Sequence, residues 1–534
     1  MSFKIRPADQ FCKIESHVSG QLGWILIISG IVLISSCKHY NRNQSHREIS
    51  YSSISSGEAL AKNYCQSCHA FPEPSLLDVK SWENGVLPNM GPHLGIFFFN
   101  EKSYPSRRND RHVPKSYYPS QPLLKAEDWQ DILNYYLATA PDSLPGQERP
   151  YPIKNDLHLF TAFAPAGKYP NPTISYVHID TTTSPHTLLQ SDVYTKNTIR
   201  FDQHLNRLDS FQTNGPVVDI DFTGQMTACN IGVLNPNNGK FGKLERVTKN
   251  SSGKMVLDSA MLIDSLQRPV QAVAVDLNAD GKMDYLVCEF GFLTGALSWY
   301  ENLGNNKYQR HVLRAWPGAI KAYIKDYNHD GLPDLIVLFA QGEEGIFLFT
   351  NKGHGNFDEK EILRFPPVYG SSYFEMDDFN QDGFPDILYT CGDNADFSAV
   401  LKPYHGVYIF LNDGHWNFAQ KYFFPINGCY KAIARDFDGD GDLDIACISF
   451  FADYTKQPEE GFVYLENMGQ FVFKPHSLPE TQVGRWLTMD AGDLDGDGKI
   501  DLLLGNFSVA PSFIKSSIPF KQGPAFLFLK NMGR

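Results

Sequence analysis

Apolar positions along this chain follow three periods, and each marks a different segment. An unbroken apolar run, LGWILIISGIVLISS at residues 22–36, comes after Lys4, Arg6 and Lys13. It is shorter than the roughly 20 residues that cross a bilayer, and its charged start and small-residue ending predict a signal segment. Farther on, GEALAKNYCQSCHAF at 57–71 sets Ala59, Leu60 and Tyr64 at helical spacing, and LLKAEDWQDILNYYLATA at 123–140 lines up Trp129, Ile132, Leu133 and Tyr136 on one helical face. From about residue 172 the period changes to short β-prone runs such as YLVCEF, LIVLFA, IACISF and LLLGNF, separated by glycine-rich turns. The pattern predicts a small helical domain followed by a large, mainly β region.

The turns of the β region share a chemistry. Five segments read D-x-[DN]-x-D-G-x-x-D, and their oxygen-bearing residues at places one, three, five and nine are Asp276, Asn278, Asp280 and Asp284; Asp326, Asn328, Asp330 and Asp334; Asp378, Asn380, Asp382 and Asp386; Asp436, Asp438, Asp440 and Asp444; Asp493, Asp495, Asp497 and Asp501. Oxygen ligands so spaced, with glycine at place six for the sharp bend, wrap a hard cation the size of Ca²⁺. Place twelve lacks the glutamate of an EF-hand, and strands rather than helices flank the loop. First aspartates stand 50, 52, 58 and 57 residues apart, a period that predicts a propeller or similar array. An Asn-x-Gly turn recurs in each period, as in WYENLG, LFTNKG, IFLNDG, YLENMG and FLKNMG. Two strands around each turn type make a four-stranded blade.

These segments resemble FG-GAP (VCBS-type) repeats, the calcium-loop blades of the integrin α-subunit propeller, over about residues 172–534. The resemblance implies seven blades, with ions on one face and ligand sites often on the other. SDVYTKNTIRFD around Asp192 and VVDIDFTGQMTACNIGVLN around Asp219 and Asp221 look like two further blades without the full loop. The last blade ends one strand short, so strands just after residue 172 are expected to close the ring. The ions, about five, are read as structural pins. Their 17 loop carboxylates would otherwise repel, and five Ca²⁺ would move the formal charge from −13 to −3. The propeller cysteines, at 229, 288, 391, 429 and 447, are read as buried thiols. Trp316, Lys321, Tyr373, Tyr430, Lys431, Arg485 and Trp486 enter the blades at corresponding places and are candidates for the central channel, with packing as the plainer role.

NYCQSCHAF, residues 63–71, carries C-x-x-C-H. With 9 cysteines and 16 histidines among 534 residues, chance is a poor explanation. Cys65 and Cys68, one turn apart, can each bond a haem vinyl group, while His69 offers a ring nitrogen to the iron. A zinc half-site would want a second ligand pair nearby, and a redox dithiol a βαβ pattern. The motif helix and the aromatic closing helix resemble a small all-α class I cytochrome c domain over residues 55–142. That resemblance implies one haem c and a sixth ligand, assigned to Met90 in VLPNMGPHLG, with His93 and His112 as competitors. The insert at 100–122 is expected to cover a haem edge.

Covalent haem requires export. Ile34-Ser35-Ser36-Cys37 resembles the lipobox of bacterial lipoproteins, in which Cys37 is lipidated. The resulting layout is a signal at 1–36, a tether at 37–54, the haem domain at 55–142, a linker at 143–171 and the propeller at 172–534, held outside the cytoplasm on a membrane, with the periplasmic side of an outer membrane favoured. A formal charge of −13 without a basic patch argues against nucleic acid. The expected activity is electron transfer with a redox partner protein or small-molecule donor. The alternatives are a propeller that binds saccharide or protein, and a carbohydrate dehydrogenase or lyase that feeds its own haem.

Overall fold

The computed structural model describes residues 40–533 except 168, 396, 510, 512, 513 and 517. The signal at 1–36 and Cys37 lie outside the described residues. From Arg42 onward the chain is one compact unit. Among the described residues no helix is long and apolar enough to cross a membrane.

Two helices build the N-terminal region, α1 (Tyr51–Tyr64) and α2 (Ala126–Thr139). Ser50 caps α1 by accepting from the Ser53 N–H, which satisfies one of the donors a helix start leaves free. The two helices cross where Gly57 sits: a Cβ there would lie 1.9 Å from the Asp131 carbonyl oxygen and 2.8 Å from the Tyr135 Cβ. Gly57→Ala is therefore expected to force the crossing apart at a cost of about 1–3 kcal/mol. A chemical-denaturation midpoint for the helical region equal to that of the parent would refute this close fit.

Between the helices the chain runs through short helical turns and a small hairpin, Phe98–Phe99 with Lys102–Ser103, so the region is helical but not purely so. Residues 37–54 were expected to form a flexible tether. Instead, the Asn43 N–H donates to the Ala138 carbonyl at 3.0 Å and Asn43 Nδ2 to the Ala140 carbonyl at 2.8 Å. These carbonyls belong to the C-terminal end of α2, where helix geometry supplies no partner, so the ordered region begins upstream of residue 55.

The rest is a seven-bladed β-propeller. Seven four-stranded antiparallel sheets follow one another along the chain. Their strands span residues 174–212, 217–266, 269–314, 319–364, 371–425, 429–476 and 486–531, here blades 1 to 7. In every blade the first strand is innermost and packs against the first strands of its neighbours. Second strands such as Asp334–Phe339 are buried at every position, which explains their unbroken apolar runs. The core is divided among the blade interfaces: Ile433, Ile448 and Phe462 of blade 6 meet Trp486, Leu502 and Leu504 of blade 7, for example.

The two regions lacking a full acidic loop are complete four-stranded blades, 1 and 2. Ring closure differs from the expectation. The strand that completes blade 7 is Phe160–Phe163, paired antiparallel with Phe526–Asn531, and it lies in the stretch read as a linker. Four residues with little apolar alternation gave no strand signal; the pairing depends on a partner at the far end of the chain.

Antiparallel order sends the first-to-second and third-to-fourth turns to one face, and the second-to-third turns to the other. The acidic loops and Asn-x-Gly turns thus share one face. The helical region sits on the opposite one: the Tyr404 hydroxyl donates to the Leu76 carbonyl at 3.1 Å, Asn238 Nδ2 donates to Asp110 at 3.0 Å, and the Arg107 guanidinium lies 5.8 Å from the Phe292 ring centre. Gly85 fits directly against the Phe397 carbonyl, where a Cβ would approach to 2.0 Å.

Candidate functional site

Helix α1 ends at Tyr64, and the chain tightens into a 3₁₀ turn, Cys65–Ser67. That turn sets Cys65 and Cys68 side by side and delivers His69 next. Burial pushes the Cys65 thiol up to about 11, and Tyr136 of α2 engages it; Cys68 is exposed. Tyr136 is itself fixed by donating to the Pro72 carbonyl at 3.0 Å.

His69 is half-buried with Nδ1 2.8 Å from the Ala70 carbonyl oxygen. A proton on Nδ1 satisfies that contact and leaves Nε2 as the free ligand atom. Burial also holds His69 below the ordinary imidazole range, which favours the neutral, ligating form.

Met90 ends a short helix, Leu87–Met90, and His93 lies in the following 3₁₀ turn, Gly91–Leu94; both are half-buried. The His93 ring packs edge-on against Tyr117 at 5.7 Å and Tyr118 at 5.4 Å. Its pKa is lowered by burial and then by the charge of His69. Tyr117 and Tyr118 come from the 100–122 insert. His112 is placed elsewhere, against Phe241 of blade 2 with ring centres 5.6 Å apart. The structure thus gathers Cys65, Cys68, His69, His93 and Tyr117, keeps Met90 one turn from His93, and removes His112.

All five acidic loops share the hydrogen bonds of their first aspartate, and four share both of those of the ninth; Asp444 accepts from the Tyr464 hydroxyl at 2.5 Å and the Asn467 N–H at 2.8 Å. The first aspartate accepts from the N–H groups at places five and six, as Asp276 does from Asp280 at 3.2 Å and Gly281 at 2.8 Å. The ninth is buried and joins two turns: Asp386 accepts from the Phe379 N–H at 3.0 Å and the Asn412 N–H at 2.8 Å. Asn412 in turn donates Nδ2 to the Pro385 carbonyl at 3.1 Å. Asn302, Asn351, Asn467 and Asn531 repeat this linkage. Sequence reading took them for simple turn residues; their recurrence once after each acidic loop was the available signal.

Whether these loops suit a cation can be judged from their oxygens. Carboxylate oxygens of Asp436, Asp438 and Asp440, and of Asp493, Asp495 and Asp501, converge within 4.8 Å of one another. Asp495 Oδ1 is buried without a hydrogen-bond partner among the described residues. An all-oxygen set at this spacing fits a hard cation. Burial raises the ninth-place carboxyls, Asp386 and Asp501 to about 6 and Asp444 to about 7. Lys282 on Asp280 at 2.8 Å, and Lys530 on Asp495, supply part of the missing positive charge.

The channel candidates divide. Lys321, Tyr373 and Lys431 occupy equivalent places on innermost strands, together with Tyr176, Asp219, Gln271 and Thr488. An innermost strand has one unpaired edge, and polar side chains of the preceding blade satisfy it. Asp219 accepts from the Ala272 N–H at 3.2 Å, Gln271 from Ala322 at 2.6 Å, Glu375 from Ala434 at 2.9 Å and Asp490 from Ile179 at 2.9 Å. Lys431 donates to the Met489 carbonyl at 2.7 Å. These groups hold blades together. Trp486 is buried core with Nε1 donating to Thr481 at 2.9 Å, and Trp316 packs between blades 3 and 4. Tyr430 and Arg485 lie in aromatic clusters beside Phe450.

A family model described as an FG-GAP-like repeat matches residues 276–337, 326–389 and 394–447, so blades 3 to 6 carry such repeats. The chain is 27% identical over 242 residues to a T-cell immunomodulatory protein homolog of Plasmodium falciparum (isolate 3D7), covering 37% of this chain and 32% of that protein. It thus spans about a third of the length of that curated relative. Among solved structures it is similar to the Dos1 propeller, with TM-score 0.39, 9% identity and coverage of 68% of this chain and 78% of the other. A chain from an S. cerevisiae complex of Dbp5 with Nup159, Gle1, IP6 and ADP gives TM-score 0.39, 10% identity and coverage of 72% and 97%. The blade count rests on the strand order itself.

Proposed function

We propose that this protein is an extracytoplasmic electron-transfer protein, tethered to a membrane through Cys37, that holds one haem c on its helical region and docks its redox partner through a calcium-stiffened propeller. The observation that carries the reading is C-x-x-C-H at the end of a helix, with the His69 Nδ1 engaged by the Ala70 carbonyl at 2.8 Å, which leaves Nε2 as the ligating atom. A bound haem would supply one-electron redox chemistry. Cys65 and Cys68 would anchor it, and His69 would be a ligand to its iron, with the ring oriented by the Ala70 carbonyl.

Sequence favours Met90 as the second protein ligand; the packing of His93 against Tyr117 and Tyr118, with His69 within electrostatic reach, supports His93 as the second choice. Tyr117 and Tyr118 would exclude water from that side. Arg364 of blade 4, whose charge reaches His69 and which also pairs with Glu343 at 3.3 Å, would be a cation available to a haem carboxylate.

The test is purification of the mature protein from a host that matures c-type haem proteins, followed by titration with protein and small-molecule donors while the haem absorption is read. Stoichiometric reduction is expected, and a mature protein without a haem band overturns the reading. With Met90 as ligand, Met90→Ala abolishes the near-infrared charge-transfer band of the oxidised form and lowers its potential. With His93 as ligand, that band is absent from the parent and His93→Ala makes the spectrum high-spin. A spectrum altered by neither substitution rules out both ligands.

A further inference from the structure

Several half-buried arginines in this propeller come with carboxylates. Arg149 pairs with Glu460, Arg200 with Asp209 at 2.7 Å, and Arg314 with Glu343. Such pairing is what burial demands, because a guanidinium removed from water without a counter-charge costs several kcal/mol.

Arg485, at the entry to blade 7, departs from this. It is 4% exposed and has no acidic partner among the described residues. Its guanidinium carbon instead faces aromatic rings, 4.8 Å from the centre of Phe520, 5.1 Å from Tyr454 and 5.7 Å from Phe450. Ring faces attract a cation but accept its N–H groups poorly, and the Tyr454 side chain engages only part of the guanidinium. Arg485 Nε is buried with no partner among the described residues, and so is the hydroxyl of Ser508, itself 5% exposed.

Both residues line one cavity of about 310 Å³, with Ile514, Ile518, Phe520 and Lys521 also in its wall. The position is not slack, because the Arg485 N–H donates to Asn506 at 3.0 Å and its carbonyl accepts from Phe507 at 2.8 Å. The backbone therefore holds the side chain in place. The Tyr454 hydroxyl donates to the Ser449 carbonyl at 2.6 Å, which turns its oxygen into an acceptor and still supplies no full negative charge.

We propose that this cavity binds a small ring-bearing organic carboxylate, whose carboxylate pairs with Arg485 and the Ser508 hydroxyl while its ring lies against Phe520 and the isoleucines. Lys521 at the wall adds attraction for an anion. Apolar walls favour a carbon-bearing acid over an inorganic anion, and the volume suits one ring. The site lies on the second-to-third-turn face of the propeller, the face that also carries the helical region, but it does not depend on the haem reading.

The experiment is calorimetric titration of the intact protein with benzoate, glucuronate, benzamide and sulfate. Saturable binding of benzoate or glucuronate, at least tenfold tighter than benzamide or sulfate, supports the proposal; which acid binds more tightly separates an aromatic acid from an acidic sugar. Arg485→Met is expected to lower that affinity at least tenfold while leaving the thermal midpoint unchanged or raised, because an uncompensated buried charge has been removed. Should that variant fail to fold, Ser508→Ala and Lys521→Ala provide the same reading with smaller losses. No binding of either acid, equal binding of sulfate, or affinity indifferent to all three substitutions overturns the proposal.

Discussion

Replacing Cys65 and Cys68 together by alanine is expected to leave a folded propeller with no covalent haem. Two thioether links are the only covalent attachment that C-x-x-C-H provides, and the thiols sit in the Cys65–Ser67 turn and at its end, Cys65 half-buried and Cys68 exposed. Cys65 contacts Tyr136 through its sulfur. Losing that contact costs little beside the layers of apolar side chains between blades. The readout is haem staining after denaturing electrophoresis, with circular dichroism as the folding control. The parent should stain and the double variant should not, while the β signal persists. A variant that still stains would remove the haem reading, whereas joint loss of stain and β signal would show that the helical region and propeller fold as one unit. Each single replacement should leave one thioether and a shifted absorption band.

The propeller was legible because its signal is local and repeated. A D-x-[DN]-x-D-G loop followed by an apolar run specifies a turn and a buried strand without reference to distant residues, and five copies fix the period. Blades 1 and 2, without that loop, were still visible through residues such as Asp192 and Asp219. Phe160–Phe163 was not, since nothing in FTAF marks a strand until Phe526–Asn531 presents its edge.

The same contrast holds at the candidate sites. Cys65, Cys68 and His69 are adjacent in sequence and so declared themselves. The placing of Tyr117 and Tyr118 on His93, and the removal of His112 to Phe241, depend on how the 100–122 insert folds back. Lys321, Tyr373 and Lys431 were found by blade equivalence, but the bonding of Tyr373 to Tyr323 and of Lys431 to Met489 in neighbouring blades needed the ring to be closed. Arg485 was visible as an arginine at a blade entry; that no carboxylate among the described residues pairs with it could be seen only in the folded ring.

The largest thermodynamic effect is expected on removing calcium. An ion that binds only the folded state at a concentration a hundredfold above its Kd stabilises by about 2.7 kcal/mol per site. Several occupied loops would then rival the roughly 5–15 kcal/mol that holds an ordinary domain together. Metal-free protein should therefore lose its cooperative thermal transition or show it tens of degrees lower.

Its pH dependence should also have a definite sign. Without the ion, burial and neighbouring loop carboxylates raise Asp386 and Asp501 to about 6 and Asp444 to about 7, above the value near 4 of an unfolded chain. A carboxyl whose folded pKa is raised gives its stability below about pH 4 and loses it as pH rises through about 6 to 7. The metal-free protein should thus be more stable at pH 5 than at pH 8. Calcium should reverse that order, because the ion needs the ionised carboxylates and competes with protons for them. Thermal midpoints of dialysed protein at the two pH values, with and without added calcium, decide the matter. Midpoints that ignore calcium at both would mean that Lys282, Lys530 and the loop N–H groups alone suffice to hold the acidic turns.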